Sequence, residues 1–338
     1  MRILITGGAG FIGSHLAEHF HRHAAVRVLD DLRTGHRGNL AGLNVEFVDG
    51  SILDRMILSK VMQEVDYVFH LAAFVSAPQS VLEPHTCVKL NVTGLLNVLE
   101  AAATAGVRKL CFSSSAAVYG DSAIVPKRED MCPEPRSPYA VTKLDGEFYC
   151  RQFSEAGRLG TVALRFFNVF GPRQDPTGPY GAAIPVFFQR ALAGTPLVIF
   201  GDGSQTRDFI YVKDIVAVLE FATLTPGLTG VFNAGYGDQI TILELAQRIL
   251  SLTGSRSSIQ FEPERPGDVH HSRASVERLQ NAGFRPTGTL DAGLREMLSV
   301  PAIDTTADLW RHRHDQGSFR SENAHLCRGK FTMSRSFR

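Results

Sequence analysis

The stretch Arg2-Ile3-Leu4-Ile5-Thr6-Gly7-Gly8-Ala9-Gly10-Phe11-Ile12-Gly13 decides the fold of this chain. Its first residues form a short apolar run. Gly7, Gly10 and Gly13 then make a turn without side-chain bulk, and Phe11 to His21 carry apolar residues at helical spacing. A strand that runs through such a turn into a helix opens a βαβ unit, and the three glycines have separate uses in it: the tight turn, close backbone approach to a pyrophosphate, and close packing of helix on strand. The helix N-terminus then faces the phosphates. Asp30 ends the next apolar run at the spacing of an acid that meets dinucleotide ribose hydroxyls. A carboxylate there repels a 2′-phosphate and so favours NAD over NADP, although Arg33 stands close by.

Outward from this turn the rhythm repeats. Arg2–Thr6, Val26–Asp30, Val45–Val48, Tyr67–Leu71, Leu110–Ser113 and Thr161–Arg165 read as strands, separated by helical patterns at Phe11–His21, Val88–Ala105 and Pro138–Glu155. Parallel strands with right-handed helical crossovers predict an α/β, Rossmann-type doubly wound sheet covered on both faces. Residues 1–164 are expected to form this NAD-binding domain, with some later segments returning to it. Residues 165–300, looser and richer in Gly and Pro, with helices at Ala183–Ala193 and Ile242–Thr253, are expected to form a smaller α/β substrate lobe closing over the strand ends. From Arg311 onward seven Lys and Arg face only Asp315 and Glu322, so residues 301–338 read as a basic tail outside the fold.

Composition narrows the function class. With 338 residues and 44% hydrophobic content a full core is affordable, and a net charge of +1 predicts neither nucleic-acid nor membrane partners. Cys87, Cys111, Cys132, Cys150 and Cys327 form no CxxC pair, so neither a disulfide framework nor a cysteine zinc site is expected, and no metal is assigned. A reduced, cytoplasmic compartment is expected. No apolar stretch reaches membrane-spanning length, and the chain opens directly on its first strand rather than on a leader pattern.

Ser137-Pro138 is a helix start that places Tyr139 and Lys143 four apart on one helical face. A tyrosine acting as a base at neutral pH needs its pKa lowered from ~10 by about three, or roughly 4 kcal/mol. A cation at ~5 Å supplies about 3 kcal/mol at an effective dielectric of ~20, so Lys143 with an oxidised nicotinamide ring suffices. Ser113-Ser114-Ser115 ends the fifth strand on the same side, and the Ser115 hydroxyl is expected to bridge Tyr139 and a substrate alcohol. Ser115, Tyr139 and Lys143 are the candidate catalytic residues.

These residues, with His70-Leu71-Ala72-Ala73, Ser113–Gly120 and Arg165–Pro172, resemble the extended short-chain dehydrogenase/reductase family over nearly all of the chain to about residue 300. Within that family the chain looks most like the nucleotide-sugar 4-epimerases. The resemblance implies oxidation of a UDP-hexose at C4 by tightly bound NAD, turnover of the 4-ketose, and return of hydride to its other face. It further implies cofactor contacts from Gly7, Gly10, Phe11, Ile12, Gly13, Asp30, Ser51, Ile52, Leu71, Ala72, Ala73, Asn91, Tyr139 and Lys143. Asn168 and Arg207 would hold the diphosphate, Phe200 would stack on uracil, and Arg265 with Asp268 would hold phosphates and ribose. A homodimer built by the helices near Val88–Ala105 and Pro138–Glu155 is also implied. Ser51 stands where the family commonly has an aspartate, and Val75 where some members have lysine.

The competing reactions of this family need acids that are missing. Dehydratases and decarboxylases carry an acid where this chain has Ala116-Ala117, and C3/C5 epimerase-reductases carry a cysteine at 117. Ser272 occupies the family's size-selecting position, where a tyrosine restricts other members to plain hexoses. With Ser76, Gln174 and Ala183 it resembles an N-acetyl pocket. The substrate expected is therefore UDP-GlcNAc/UDP-GalNAc with UDP-Glc/UDP-Gal tolerated. The alternatives are an enzyme restricted to non-acetylated sugars, one acting on another nucleotide sugar, or an NAD-sensing regulatory protein using the basic tail.

Overall fold

A computed structural model describes residues 1–176, 182–265 and 269–299; the tail read at 301–338 lies outside them. The first half alternates as its periodicity predicts: β1 (Arg2–Thr6), α1 (Phe11–Phe20), β2 (Ala25–Asp30), β3 (Val45–Asp49), α2 (Arg55–Val61) and β4 (Tyr67–His70). Two short helices, α3 (Ala77–Leu82) and α4 (Pro84–Val88), lead through a wide π-type turn at Lys89–Thr93 into α5 (Gly94–Thr104). β5 (Lys109–Ser115), α6 (Pro138–Glu155) and β6 (Gly160–Phe166) complete this half. The single helix predicted over Val88–Ala105 is thus interrupted. The interruption coincides with Asn91, which turns inward to accept the Phe74 N–H at 2.7 Å and to donate to the Phe74 carbonyl and the Thr142 hydroxyl.

The second half adds β7 (Asn168–Phe170), α7 (Ala183–Leu192), β8 (Leu197–Phe200), β9 (Thr206–Arg207), β10 (Phe209–Tyr211) and α8 (Val212–Leu224). It ends with β11 (Gly230–Ala234), β12 (Ile240–Thr241), α9 (Ile242–Thr253), β13 (Ile259–Glu262), α10 (Glu277–Asn281) and α11 (Leu290–Ser299). Seven parallel strands form one sheet in the order β11-β6-β5-β4-β1-β2-β3. The division drawn at residue 165 falls inside β6, where Arg165 and Phe166 are in register with Asn233 and Ala234 of β11. A strand from late in the chain therefore closes the first sheet. Residues 1–300 cluster as one compact unit.

The period of two along each strand splits the core. Ile3 and Ile5 face α1 and α8, together with Phe20, Val28, Ile215 and Leu219, whereas Leu4 faces the opposite layer with Leu29, Leu58, Val68, Leu95 and Leu110. A third cluster packs α7, α9 and α11 on β8 around Phe187, Leu197 and Leu245. The order reverses between β1 and β4, and the crevice beyond the carboxyl ends at that switch is where a doubly wound sheet accepts ligands.

Candidate functional site

A cavity of about 590 Å³ opens at this switch point. Gly7, Gly10, Phe11, Ile12 and Gly13 line it, with Asp30, Ile52, Leu71, Ala72 and Ala73, and so do Ser115, Tyr139, Lys143 and Gln174. The glycines divide the labour assigned to them. Gly7 has φ +73°, and a Cβ there would lie 2.6 Å from the Ala72 nitrogen; at Gly13 it would lie 2.2 Å from the Gly7 carbonyl oxygen. Those two are needed by turn and packing. At Gly10 the nearest atom to a Cβ is the same oxygen at 3.3 Å, so the bare surface there is left to a ligand.

Asp30 is buried and its carboxylate accepts the backbone N–H of Ala9 at 2.9 Å and of Leu32 at 2.8 Å. It therefore anchors the glycine turn to β2 as well as lining the cavity. Burial raises its pKa, and the two N–H donors pull it back. Asn39 gives its amide N–H to the Ala9 carbonyl, and Gln174 gives its own to the Val169 carbonyl. The amide oxygens Asn39 Oδ1 and Gln174 Oε1, both on residues of the cavity wall, are buried without a hydrogen-bond partner among the described residues. Unpaired buried acceptors are costly, and two of them beside an open glycine surface fit a dinucleotide that carries amino and hydroxyl donors.

The serine run is sorted by the strand end. Ser113 Oγ donates to the His70 carbonyl, Ser114 Oγ donates to Glu147, and Ser115 Oγ accepts the Ala117 N–H at 3.1 Å on the cavity wall that it shares with Tyr139. Of the three serines, Ser115 is the one whose hydroxyl acts on the Tyr139 phenol. Ser137 caps α6 by accepting the Ala140 N–H, with Pro138 in the first turn, and this sets Tyr139 over the strand end. One turn on, Lys143 is buried and donates to the Ser113 carbonyl at 2.7 Å, with Nζ 5.8 Å from the Tyr139 ring centroid.

Electrostatics differ from expectation in one respect. Sequence alone predicts that Lys143 with an oxidised nicotinamide ring draws the tyrosine pKa down; in the protein by itself burial pushes Tyr139 up and the nearby Ser115 hydroxyl only partly opposes this. Burial also lowers the Lys143 ammonium to about 8. Among protein groups desolvation wins, because a phenolate in this cleft gives up more hydration than the buried ammonium restores.

Behind Ser114 lies an ion pair that sequence reasoning missed. Arg165 holds Glu147 with two bonds of 2.8 and 2.7 Å, and its guanidinium stacks 4.8 Å over the Tyr119 ring. The Tyr119 hydroxyl donates to Asn233 at 2.6 Å. This buried chain ties α6, β5, β6 and β11 together beneath the candidate catalytic group. Arg173 was also missed: with φ +67° it bridges His15, Glu18 and the Asn39 carbonyl at the cavity rim. His15, kept neutral by burial with its pKa lowered to about 4, accepts from Arg173 at Nδ1 and donates to the Pro172 carbonyl. No local pattern announces either network, since each joins segments more than 100 residues apart or on separate elements.

Asn168, Phe200, Arg207, Arg265 and Ser272 form a second group around β9. Asn168 donates to the Asp208 carbonyl at 2.9 Å, and the Ser272 N–H donates to the Thr206 carbonyl beside Arg207. Gln205 donates to the Phe200 carbonyl, and the Arg265 guanidinium lies 3.7 Å over the Phe200 ring, so one face of that ring is covered. Asp208, unnoticed in the sequence, accepts the N–H groups of Tyr236, Gly237 and Ala274 and fixes these loops about Arg207. Ser51 accepts the Leu53 N–H, Ser76 caps α3 by accepting the Gln79 N–H, and Ala183 opens α7. Asn91 spends its amide on Phe74 and Thr142, and so touches the site only through its neighbours. Asp268 lies outside the described residues.

The NAD dependent epimerase/dehydratase family matches residues 3–235. A UDP-glucose 4-epimerase of Mycolicibacterium smegmatis is 37% identical over 303 residues, covering 87% of this chain and 96% of that protein. The structure of a UDP-N-acetylglucosamine 4-epimerase from Methanobrevibacter ruminantium, in complex with UDP-N-acetylmuramic acid, is 39% identical, with TM-score 0.85 over 88% of this chain and 97% of that one. A Thermotoga maritima UDP-glucose 4-epimerase with UDP-glucose is 37% identical, with TM-score 0.85 over 88% and 98%.

Proposed function

The chain belongs to the NAD-dependent epimerase/dehydratase family, and on that premise we propose that it interconverts the C4 epimers of a UDP-hexose, acting on UDP-GlcNAc/UDP-GalNAc and accepting UDP-Glc/UDP-Gal. It is an NAD-dependent enzyme. The observation that carries the proposal is that Ser115, Tyr139 and buried Lys143 line one cavity with the glycine turn.

In this reading Gly7–Gly13 would hold the NAD, Asp30 would accept from its ribose, Asn39 and Gln174 would offer buried acceptors, and the bare surface at Gly10 would admit the pyrophosphate. When bound, oxidised NAD supplies the acceptor and later donor of the C4 hydride, and a positive ring charge. Tyr139 takes the proton of the C4 hydroxyl and gives it back after the 4-ketose has turned. Ser115 holds the substrate oxygen in line with the phenol, and Lys143 keeps a positive charge under the pair below pH about 8. Ala116 and Ala117, which follow Ser115 on a tight turn, leave no acid there for water elimination or decarboxylation. Glu147, two bonds away, is locked to Arg165. Arg207, Asn168, Phe200, Arg265 and Asp268 are assigned to the UDP moiety. The small side chain of Ser272, next to Arg207, leaves the space for an N-acetyl group.

A second copy of the chain is assigned to the face of α3, α4 and α6, where Val81, Leu82, Val88, Val141 and Phe148 are exposed. Val141 and Phe148, seven apart, share one side of α6. Incubation of the purified chain with UDP-GlcNAc and with UDP-Glc separately, without added NAD, followed by resolution of the C4 epimers, tests the function. Both mixtures should reach an equilibrium of epimers. Failure to convert either sugar by protein that carries NAD overturns it.

A further inference from the structure

We propose that His19, His23 and Glu220 form a binding site for a divalent transition-metal ion, best matched by zinc, that clips α1 to α8. One donor atom from each of the three lies within 4.8 Å of the others, and His19 Nε2 is already 2.9 Å from Glu220 Oε2. Metal–nitrogen and metal–oxygen bonds of about 2.0–2.2 Å in a tetrahedron set donors roughly 3.4 Å apart. The observed separations bracket that value, so side-chain rotation alone closes the site. Two imidazoles and one carboxylate are a donor set suited to zinc, and the exposure of both histidines leaves the fourth position to water.

The scaffold limits the freedom of the ligands. His19 is in the last turn of α1 and His23 one turn further along the chain, their rings 5.4 Å apart and nearly perpendicular. Buried Phe20 packs against both, with ring centroids 4.9 Å from His19 and 5.4 Å from His23. Glu220 projects from α8, which packs with α1 on the same core. Cysteine spacing spoke only against a thiolate site; this one arises where two helices meet. An ion here would brace the helix whose other end is the glycine turn.

The test uses the full chain stripped with a chelator, then titrated with cobalt chloride and zinc chloride. Bound Co²⁺ should give visible d–d absorption that zinc displaces, and zinc at about a hundred times its Kd should raise the thermal midpoint by roughly 5 °C. His23→Gln and Glu220→Gln, both at accessible positions, should each weaken binding at least tenfold. His21→Asn, whose ring instead accepts the Asn44 N–H, should leave it unchanged. Absence of cobalt absorption overturns the proposal. So does equal binding by wild type and a His19→Asn/His23→Asn double variant, which would place the ion elsewhere, for instance on His312 and His314 of the tail.

Discussion

Tyr139 and Ser115 meet because a capped helix start and a strand end are brought to one point, and the proposed chemistry depends on a single phenolic oxygen. Tyr139→Phe removes that oxygen and little else, so turnover should fall by about 10²–10⁴ while NAD remains bound, read as epimer formation against cofactor content. Ser272 is a different kind of residue. It is buried with its N–H on the Thr206 carbonyl, so its role rests on size rather than on a reacting atom. Ser272→Tyr should abolish conversion of UDP-GlcNAc and spare UDP-Glc within about threefold, since a few atoms in a pocket decide roughly 1–3 kcal/mol. Equal loss on both sugars would assign Ser272 to structure alone. The Tyr-x-x-x-Lys spacing was legible in the sequence; the upward push on the Tyr139 pKa was not, because desolvation depends on what covers the ring.

At the level of elements, the strand–turn–helix of β1 and α1 does two jobs that substitution can separate. Gly13→Ala would place a methyl 2.2 Å from the Gly7 carbonyl oxygen, and relief requires α1 to move off the sheet. A stability loss of about 3 kcal/mol or more is expected in denaturant unfolding. Gly10→Ala meets its nearest atom at 3.3 Å, so the fold should tolerate it while NAD retention drops at least tenfold. If both variants unfold alike, the open surface at Gly10 has no separate role. α6 shows the same dependence on close approach: a Cβ at Gly146 would lie 2.4 Å from the Phe112 ring, so the helix lies close enough to β5 for Lys143 to reach the Ser113 carbonyl. The first six strands and the helices α1, α5, α6, α7 and α9 followed from hydrophobic period and caps, whereas α2, α3, α8 and the strands after β6 were not read from the sequence. Nor was the wide turn at Lys89–Thr93, since its cause, the Asn91 bonds to Phe74, is tertiary.

For the whole molecule, pH is a probe of burial. His70 is buried with its pKa lowered to about 3, and His15 with its pKa lowered to about 4. Each binds a proton more readily when unfolded, so each contributes stability that is present above pH 6.5 and lost as pH falls toward those values. Asp208, raised to about 6 by burial, works in the opposite sense: its contribution is present below pH about 4 and is lost as pH rises through 6. Asp30, also raised by burial, acts with Asp208, but the two histidine shifts are the larger ones, so unfolding free energy should fall on acidification from pH 6.5 to 4. His70→Gln should flatten that slope whatever its effect at pH 7; an unchanged slope would mean that His70 is not buried neutral. Assembly is the other property of this scale. Phe148→Glu on the exposed face of α6 should convert a dimer to a monomer in light scattering, and a wild-type chain that is already monomeric would remove the second-copy assignment.

The sequence by itself determined the doubly wound sheet, the glycine turn between β1 and α1, and the helix start that sets Tyr139 and Lys143 one turn apart, because these are written in short-range period and spacing that survive without tertiary context. Tertiary structure alone decided that β11 closes the first sheet, that Arg165 locks Glu147 under Ser114, that Arg173 seals the rim, and that His19, His23 and Glu220 converge. These contacts pair residues far apart in the chain. Their cause is the packing of elements against one another, for which no local pattern codes.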